Sequence, residues 1–354
     1  MKLEKHSTSR TPTADLLKGI AAILMIQVHI IELFATHDIF KSNIGQLLLF
    51  LGGPPVAPVF MIIFGYFIAG SKKSTFQLIL RGVKIITLGI LLNLVLNFNL
   101  ILSVNKGLLE IDILPYIFGV DILSLAGLSI IIIAILKKAL DKGFVLIPFI
   151  IISAFLGNFL LEYTTEQPFS QYVLSLFYGA SWWSYFPLFP WLAYSLTGIL
   201  FYKIQQNYDL NLLNKPKIKI ILGACFLLFL TLTIQYAITI ASDLPAYYHH
   251  GLIFFLWVIS FLFFYTFFIN QIDKILGGTI LFVYLKWLGK NITIVYIIQW
   301  IIIGNVATEI YKTVSNPFYL LLWFASVLLI SNGICYSWIK IKEMLIKQGF
   351  SNKN

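Results

Sequence analysis

The chain has 354 residues, of which 59% are hydrophobic and only 11% are charged. A water-soluble protein of this length needs more polar surface than that composition supplies, so a soluble globular domain is excluded. The net charge of +10 would point to nucleic acid in a soluble protein. Here the Lys and Arg residues cluster in alternate loops between apolar runs, as they do in membrane proteins. We therefore expect the lipid bilayer as a partner, and we expect no nucleic acid.

The first 13 residues are polar, and the apolar run that follows is longer than a signal peptide and has no small-residue cleavage pattern. We therefore expect a retained first membrane span. Cys225 and Cys335 each lie inside an apolar run. Two such cysteines support neither a disulfide framework nor a zinc site, and we expect no metal.

A membrane-spanning helix needs roughly 20 mainly apolar residues. Ten such runs occur, at 14–35, 46–70, 77–103, 113–136, 143–162, 185–203, 218–240, 251–271, 291–308 and 317–339. The predicted fold class is an all-α integral membrane protein of about ten transmembrane helices. One multi-pass domain, 14–339, would lie between cytoplasmic tails at 1–13 and 340–354.

Two segments of the apolar pattern are irregular. Gly52 to Pro55 interrupts the second run, and Leu276 to Trp287 is typical of an amphipathic segment at the inner membrane surface. Non-helical backbone at membrane depth is tolerated where it is buried in protein or lines a wet cavity. We find no internal repeat and no soluble domain in the sequence.

The placement of Lys and Arg predicts the orientation. If the N-terminus is cytoplasmic, 22 of the 25 Lys and Arg residues fall on the cytoplasmic side, and only Lys41, Lys106 and Lys312 fall outside. A missed or invented span would destroy that asymmetry. We therefore predict that both termini are cytoplasmic and that the protein resides in the cell membrane.

Ionisable residues within spans are costly and indicate function by default. The predicted spans contain seven of interest: Asp15, Lys18, His29, Glu32, Arg81, Lys84 and Asp121. His29 lies 14 residues after Asp15, which places it roughly 21 Å along the helix and in the outer half of the membrane. Glu32 follows at i+3 on the same face and could hydrogen-bond the imidazole. The alternative is a structural polar contact between helices.

Arg81 and Lys84 share one helix face, a short distance after Lys72 and Lys73. This group of four cations could hold an anionic ligand by charge and hydrogen bonding. The alternative is that they only anchor the helix end on the cytoplasmic side.

Several strings resemble those of a known superfamily. Asp15-Leu-Leu-Lys18-Gly19, followed eleven residues later by His29, resembles the D-x-L-R-G…H signature that opens the membrane acyltransferases. That superfamily includes acyltransferase family 3 and the heparan-alpha-glucosaminide N-acetyltransferase-like proteins. Ala57-Pro58-Val59-Phe60 with Phe64-Gly65-Tyr66, and Arg81-x-x-Lys84, resemble its second- and third-span motifs.

Two further strings favour the glucosaminide acetyltransferase-like branch. Tyr185-Phe186-Pro187-Leu188-Phe189-Pro190-Trp191 with Gly198 resembles its F-P-L-x-P-W…G string, and Leu288-Gly289-Lys290-Asn291 with Tyr296 resembles its L-G-[RK]-x-S-L…Y element. There are two departures. Lys18 replaces the usual Arg, and Gln299 stands where a His is common.

The resemblance implies a donor, an acceptor and a set of roles. Cytoplasmic acetyl-CoA, or another acyl-CoA, would give its acyl group to a sugar or glycan amine or hydroxyl outside, with His29 as general base or as a transient acyl carrier. A glycolipid acceptor and a homodimer are left open. The implied catalytic residues are His29, Glu32 and Asp15; the implied donor-binding residues are Lys18, Arg81, Lys84, Lys72 and Lys73; the implied acceptor-binding residues are Asp121, His249, His250 and Trp191.

Three alternatives stand beside these roles. Trp191 and its neighbours Trp182, Trp183 and Tyr185 could be interface aromatics and not a sugar platform. A transporter or flippase would use the buried His, Glu and Asp as a proton relay, although the lack of inverted repeats weighs against it. A non-enzymatic membrane subunit would account for the changes at Lys18 and Gln299.

Overall fold

The structure of the chain is a computed structural model that describes residues 11–179 and 181–351. Residues 1–10 of the predicted N-terminal tail and 352–354 of the predicted C-terminal tail lie outside the described residues. Two short 3-10 helices, Leu160–Glu162 and Leu210–Asn214, accompany the α-helices. The α-helices are α1 Pro12–Phe34, α2 His37–Lys41, α3 Asn43–Gly52, α4 Ala57–Ala69, α5 Thr75–Leu96, α6 Phe98–Asn105, α7 Leu114–Ile117, α8 Ile122–Leu140, α9 Gly143–Phe159, α10 Pro168–Ser175, α11 Leu188–Asn207, α12 Pro216–Ser242, α13 Leu244–Tyr248, α14 Leu252–Leu276, α15 Ile280–Lys290, α16 Ile292–Ile310 and α17 Pro317–Ser351.

The predicted all-α membrane fold is confirmed. Within the described ranges, nine helical segments are long and apolar enough to cross a membrane, and they coincide with nine of the ten predicted runs. The remaining run, 185–203, corresponds to α11, which is 20 residues long and carries Trp191, Tyr194 and Ser195 in a fully buried stretch. Because residues 190–196 of α11 are all buried in protein, this stretch does not need the lipid-facing apolar side chains that mark the other nine segments.

Two predicted boundaries move for local reasons. The third run divides at Asn97, whose side-chain amide donates to the carbonyl of Asn93 at 2.9 Å, so α6 starts as a separate helix. The fourth run begins at Ile122 and not at 113, because the carboxylate of Asp121 accepts the backbone N–H of Ser124 at 2.9 Å. Asp121 is therefore an N-cap residue and not a mid-span carboxylate.

Both irregular segments predicted from the sequence are seen. The second run is broken between α3 and α4, where the backbone N–H of Gly53 donates a hydrogen bond to the carbonyl of Phe50. The segment before the ninth run forms the 11-residue helix α15, whose Leu285 and Leu288 are buried while Ile280 is exposed. The predicted C-terminal tail continues α17 as helix to Ser351.

The buried hydrophobic side chains form three clusters. The first joins α4, α8, α9, α11 and α14. The second joins α1, α16 and α17. The third is small and comprises Ala21, Met25, Val56, Leu92 and Tyr296, which connect α1, α5 and α16. The first two clusters share α1 and α3, through Leu17 and Phe50 in the first and Ile26 and Leu49 in the second.

The motif strings quoted above meet each other in pairs. A Cβ placed on Gly19 of α1 would collide with the backbone carbonyl of Leu285, and one on Gly289 of α15 would collide with that of Asp15. In the same way Gly65 of α4 lies against the carbonyl of Ser195 in α11. These glycines permit the helix backbones to touch, as small residues do in membrane bundles.

Candidate active site

A cavity of about 560 Å³ opens among residues of all three hydrophobic clusters. Its walls come from α1, α5 and α16 and from the segments that precede α8 and α11. The lining side chains that carry polar groups are His29, Glu32, Asn93, Asn97, Tyr116, Asp121, Trp182, Tyr185, Tyr247, Tyr248, Tyr296, Trp300, Thr308 and Tyr311. Three of the predicted site residues, His29, Glu32 and Asp121, are therefore brought together in one cavity.

The imidazole of His29 is held by two residues of α16. Its Nδ1 lies 3.3 Å from Oε1 of Gln299, and its ring centroid lies 3.9 Å from that of Trp300. Gln299 is completely buried. One hydrogen bond and one ring contact thus define the position of the imidazole in the cavity wall.

Glu32 lines the same cavity one turn further along α1. It was predicted to orient His29, but the hydrogen-bond partner of His29 in the described structure is Gln299. Glu32 interacts electrostatically with Lys312. The backbone N–H of Lys312 donates to the carbonyl of Leu33 at 2.8 Å, and its ammonium lies 4.0 Å from the ring centroid of Phe40. Burial lowers the pKa of Lys312, and the negative charge of Glu32 opposes that shift.

Asp121 faces the cavity from the start of α8. One of its carboxylate oxygens accepts the Ser124 N–H, and the hydroxyl of Tyr296 donates to the other at 3.5 Å. Tyr296 belongs to one of the motif strings, so the resemblance pointed to a residue that lies in the cavity wall.

Two asparagines in the cavity wall carry structural hydrogen bonds that the sequence analysis missed. The Asn93 side-chain amide donates to the carbonyls of Ile117 at 3.1 Å and Gly119 at 2.9 Å. The Asn97 side-chain amide donates to the backbone carbonyl of Tyr116 at 3.3 Å. They fix the segment that leads to Asp121. Their i, i+4 spacing within an apolar helix was the available signal.

A similar signal marks α16. One face of this helix lines the cavity. It carries four residues at intervals of four, Tyr296, Trp300, Gly304 and Thr308, and that spacing places them on the same side of a helix. The sequence analysis used Tyr296 alone. Trp300 was missed because an aromatic residue in a membrane span is ordinarily a packing residue.

The other predicted acceptor-binding residues lie one layer behind the cavity wall. Trp191 donates from Nε1 to the carbonyl of Tyr248 at 2.8 Å, and it is fully buried. His250 contacts the Tyr194 hydroxyl at 2.8 Å and the Tyr247 carbonyl at 2.7 Å. Burial lowers the pKa of His250 to about 4, and it does the same for His249.

The predicted donor-binding cations divide into two groups. Lys73, Arg81 and Lys84 line an open depression of about 480 Å³ at the start of α5, separate from the His29 cavity, and Lys72 is exposed beside it. Lys18 instead donates to the buried carboxylate of Asp15 at 2.8 Å. Asp15 and Lys18 belong to the contact between α1 and α15 and line neither space.

The apolar helices and a cavity lined by a histidine and two carboxylates define a multi-pass membrane protein with a polar site between its helices. Residues 10–238 match the family described as heparan-alpha-glucosaminide N-acetyltransferase, catalytic, and the chain belongs to that family. It is therefore a membrane protein of the acetyltransferase type. No curated protein and no solved structure matches the chain. The matched residues include His29, Glu32 and Asp121 but end before α16, which supplies Gln299 and Trp300.

Proposed function

We propose that this protein transfers an acetyl group from cytoplasmic acetyl-CoA to an amine or hydroxyl of a sugar or glycan on the opposite side of the cell membrane. The observation that carries the proposal is His29, a histidine in the wall of a cavity between the helices of a chain that belongs to an acetyltransferase family. Both termini would face the cytoplasm, as the distribution of Lys and Arg predicts.

The chemical step needs one base and one acid. The acceptor nitrogen or oxygen attacks the thioester carbonyl carbon while neutral His29 takes the proton of the attacking group. The carbon–sulfur bond then breaks, and protonated His29 returns the proton to the departing thiolate. One imidazole in one position can serve both transfers, so acetylated acceptor and free CoA are formed with no net change at His29.

The cavity supports a sugar as acceptor. Trp182, Tyr185, Tyr248 and Trp300 provide flat aromatic walls, and Glu32 and Asp121 provide hydrogen-bond acceptors. Aromatic rings beside a few polar groups suit a ligand that has both apolar ring faces and hydroxyl edges.

The basic depression supports a phosphate-bearing donor on the cytoplasmic side. Arg81 precedes Asn93 of the cavity wall by 12 residues on α5, which is about 18 Å along a helix axis. A donor whose phosphates bind Lys73, Arg81 and Lys84 would have to extend its thioester over that distance. The two spaces would need to join during the reaction.

The central test uses sealed membrane vesicles with radiolabelled acetyl-CoA on the cytoplasmic face and a panel of amino sugars and glycans on the other. We expect transfer by the intact protein and a loss of about 10²-fold or more in His29→Ala, because a positioned general base contributes that much. His37→Ala removes an exposed histidine of α2 and should retain full transfer.

Two outcomes would reject the proposal: no acetyl transfer by the intact protein to any acceptor of the panel, or equal transfer by the intact protein and His29→Ala. Movement of an unlabelled sugar across the vesicle membrane without acetylation would indicate a transporter.

The donor site has a separate prediction. The double variant Arg81→Gln/Lys84→Gln should raise the KM for acetyl-CoA about tenfold and leave kcat within about twofold. The donor phosphates would contact these cations equally in the ground state and the transition state, and the loss of such contacts weakens binding without slowing the chemical step. Initial-rate kinetics in vesicles measure this. Lys142→Gln is the matched control, because Lys142 is an exposed lysine at the N-cap of α9 that does not line the basic depression. An unchanged KM in the double variant would exclude the basic depression as the phosphate site.

A further inference from the structure

Gln299 is a buried amide whose position packing does not explain. It is fully buried in α16, and its Nε2 has no hydrogen-bond partner among the described residues. A buried amide left half satisfied is destabilising relative to an apolar side chain of the same size. The one hydrogen bond that it makes is to His29.

That hydrogen bond has a direction. A carbonyl oxygen can only accept, so Nδ1 of His29 must carry the proton when it faces Oε1 of Gln299 at 3.3 Å. A neutral imidazole has one protonated nitrogen and one lone pair. The lone pair is then on Nε2.

The second nitrogen is not enclosed by protein. Nε2 of His29 is absent from the buried unpartnered atoms of the described residues, and Gln299 is the hydrogen-bond partner that the imidazole has there. Because His29 lines the cavity, Nε2 is accessible from it.

We propose that Gln299 is a positioning residue, which holds His29 in the tautomer protonated on Nδ1 so that Nε2 is the proton acceptor in the cavity. This inference rests on the proposed function for its catalytic meaning, although the tautomer can be measured without any reaction. Trp300 completes the arrangement, since its ring contact at 3.9 Å restricts rotation of the imidazole plane.

The residue type matters. A carboxylate at this position would attract a second proton to the imidazole and favour the charged form, whereas a neutral amide orients the ring without doing so. Glu32 is a carboxylate on the same helix as His29, but it is not the residue that contacts Nδ1. In the opposite amide orientation the Gln299 side-chain NH₂ would donate to Nδ1 of His29. The imidazole proton would then be on Nε2 of His29, and that nitrogen could not accept a proton from the substrate.

The direct test is solid-state NMR of the full-length protein in lipid vesicles with ¹⁵N-labelled histidine. The chain has five histidines, and the His29 signals are assigned by their loss in His29→Ala. We expect a protonated Nδ1 and an unprotonated Nε2. A proton on Nε2 in the intact protein would overturn the inference, and this measurement requires no variant of Gln299 to fold.

The functional test compares three variants in the vesicle assay. Gln299→Met keeps the volume and removes the acceptor, so kcat should fall about tenfold or more with KM within about twofold, because the base is present less often in the productive tautomer. Gln299→Glu keeps an oxygen against Nδ1 and should keep the proton on Nδ1, but its carboxylate favours the charged imidazole, so its activity should recover only at higher pH than that of the intact protein. Gln27→Met is the matched control, because Gln27 is a glutamine of α1 whose side-chain N and O are buried without partners.

The outcomes separate this inference from the proposed function. If Gln299→Met leaves both the tautomer signals and kcat unchanged, Gln299 does not position His29. If the intact protein transfers no acetyl group, the proposed function fails, and the NMR spectrum still decides the tautomer.

Discussion

The histidines of the described chain differ in what surrounds their two ring nitrogens. His250 has a partner at each nitrogen, from Tyr194 on one side and the Tyr247 carbonyl on the other. His29 has a partner at Nδ1 and a cavity beside it. Only a nitrogen with an available lone pair can take a proton from a substrate, so the environments separate a packing histidine from a candidate base.

The buried pair His249 and His250 predicts a pH dependence of stability. Burial lowers the pKa of each to about 4, below the usual value of 6.5. Between these values the unfolded chain binds protons that the folded chain does not, so stability is complete above about pH 6.5 and is lost as the pH falls towards 4. Thermal unfolding in detergent at several pH values measures it.

Replacing His250 with Asn should reduce that loss by up to about 1.4 kcal/mol per pH unit, because one titrating group of this pair is removed. His37→Asn, which alters an exposed histidine, should keep the slope of the intact protein. Equal slopes in all three proteins would show that His250 does not contribute to acid unfolding.

Close helix contacts are the main structural role of the motif glycines. At Gly65 a Cβ would collide with the backbone carbonyl of Ser195, and at Gly198 with that of Ile62, so α4 and α11 touch backbone to backbone. Neither carbonyl can move without displacing its helix. The A-P-x-F and F-P-L-x-P-W strings are thus two sides of one contact, and the same two strings supply Ala57 and Phe186 to the cavity wall.

Gly65→Ala should therefore destabilise the protein by about 1–3 kcal/mol, as overpacking does in a closely packed core. Gly223→Ala in α12 is the matched control, since the nearest atom to its added Cβ is Phe268 Cζ at 3.8 Å. That variant should be unchanged or more stable by about 0.5–1 kcal/mol, from the better helix propensity of Ala. Thermal unfolding compares the two, and equal stability of both variants would contradict the close-contact argument.

At the scale of the whole molecule, the orientation depends on whether α11 crosses the membrane. If it does, Glu166 and Lys215 lie on opposite sides, and both termini lie on the same side. If it does not, the two residues share a side and every later loop changes compartment.

Single cysteines introduced at exposed sites of a cysteine-free variant test this. On intact cells a membrane-impermeant maleimide should label Lys106→Cys and Glu166→Cys, whereas Lys142→Cys and Lys215→Cys should be labelled only after permeabilisation. The expectation follows from the bias of Lys and Arg towards cytoplasmic loops. Labelling of Lys215→Cys on intact cells would refute the ten-span topology with both ends inside.

The fold class can be predicted from hydropathy alone, because nine of the runs face lipid on at least one side and lipid tolerates only apolar helices there. The family can also be predicted from the sequence, because its motifs are short contiguous strings. Asp15 to Gly19 and Tyr185 to Trp191 can be compared with those motifs without knowledge of the fold. Asp121 and α11 show the limits of hydropathy. A capping carboxylate and a protein-enclosed helix both depend on neighbours that a window of sequence does not contain.

Which polar residues share a cavity depends on how helices distant in sequence pack together. His29 and Gln299 are separated by 270 residues and meet because α1 and α16 pack together. Asp121 joins them through the α5–α8 contact, while His250 and Trp191 are turned into the packing layer behind Tyr247 and Tyr248. Helix periodicity specifies the face on which a residue lies, but the packing of helices distant in sequence specifies what that face meets.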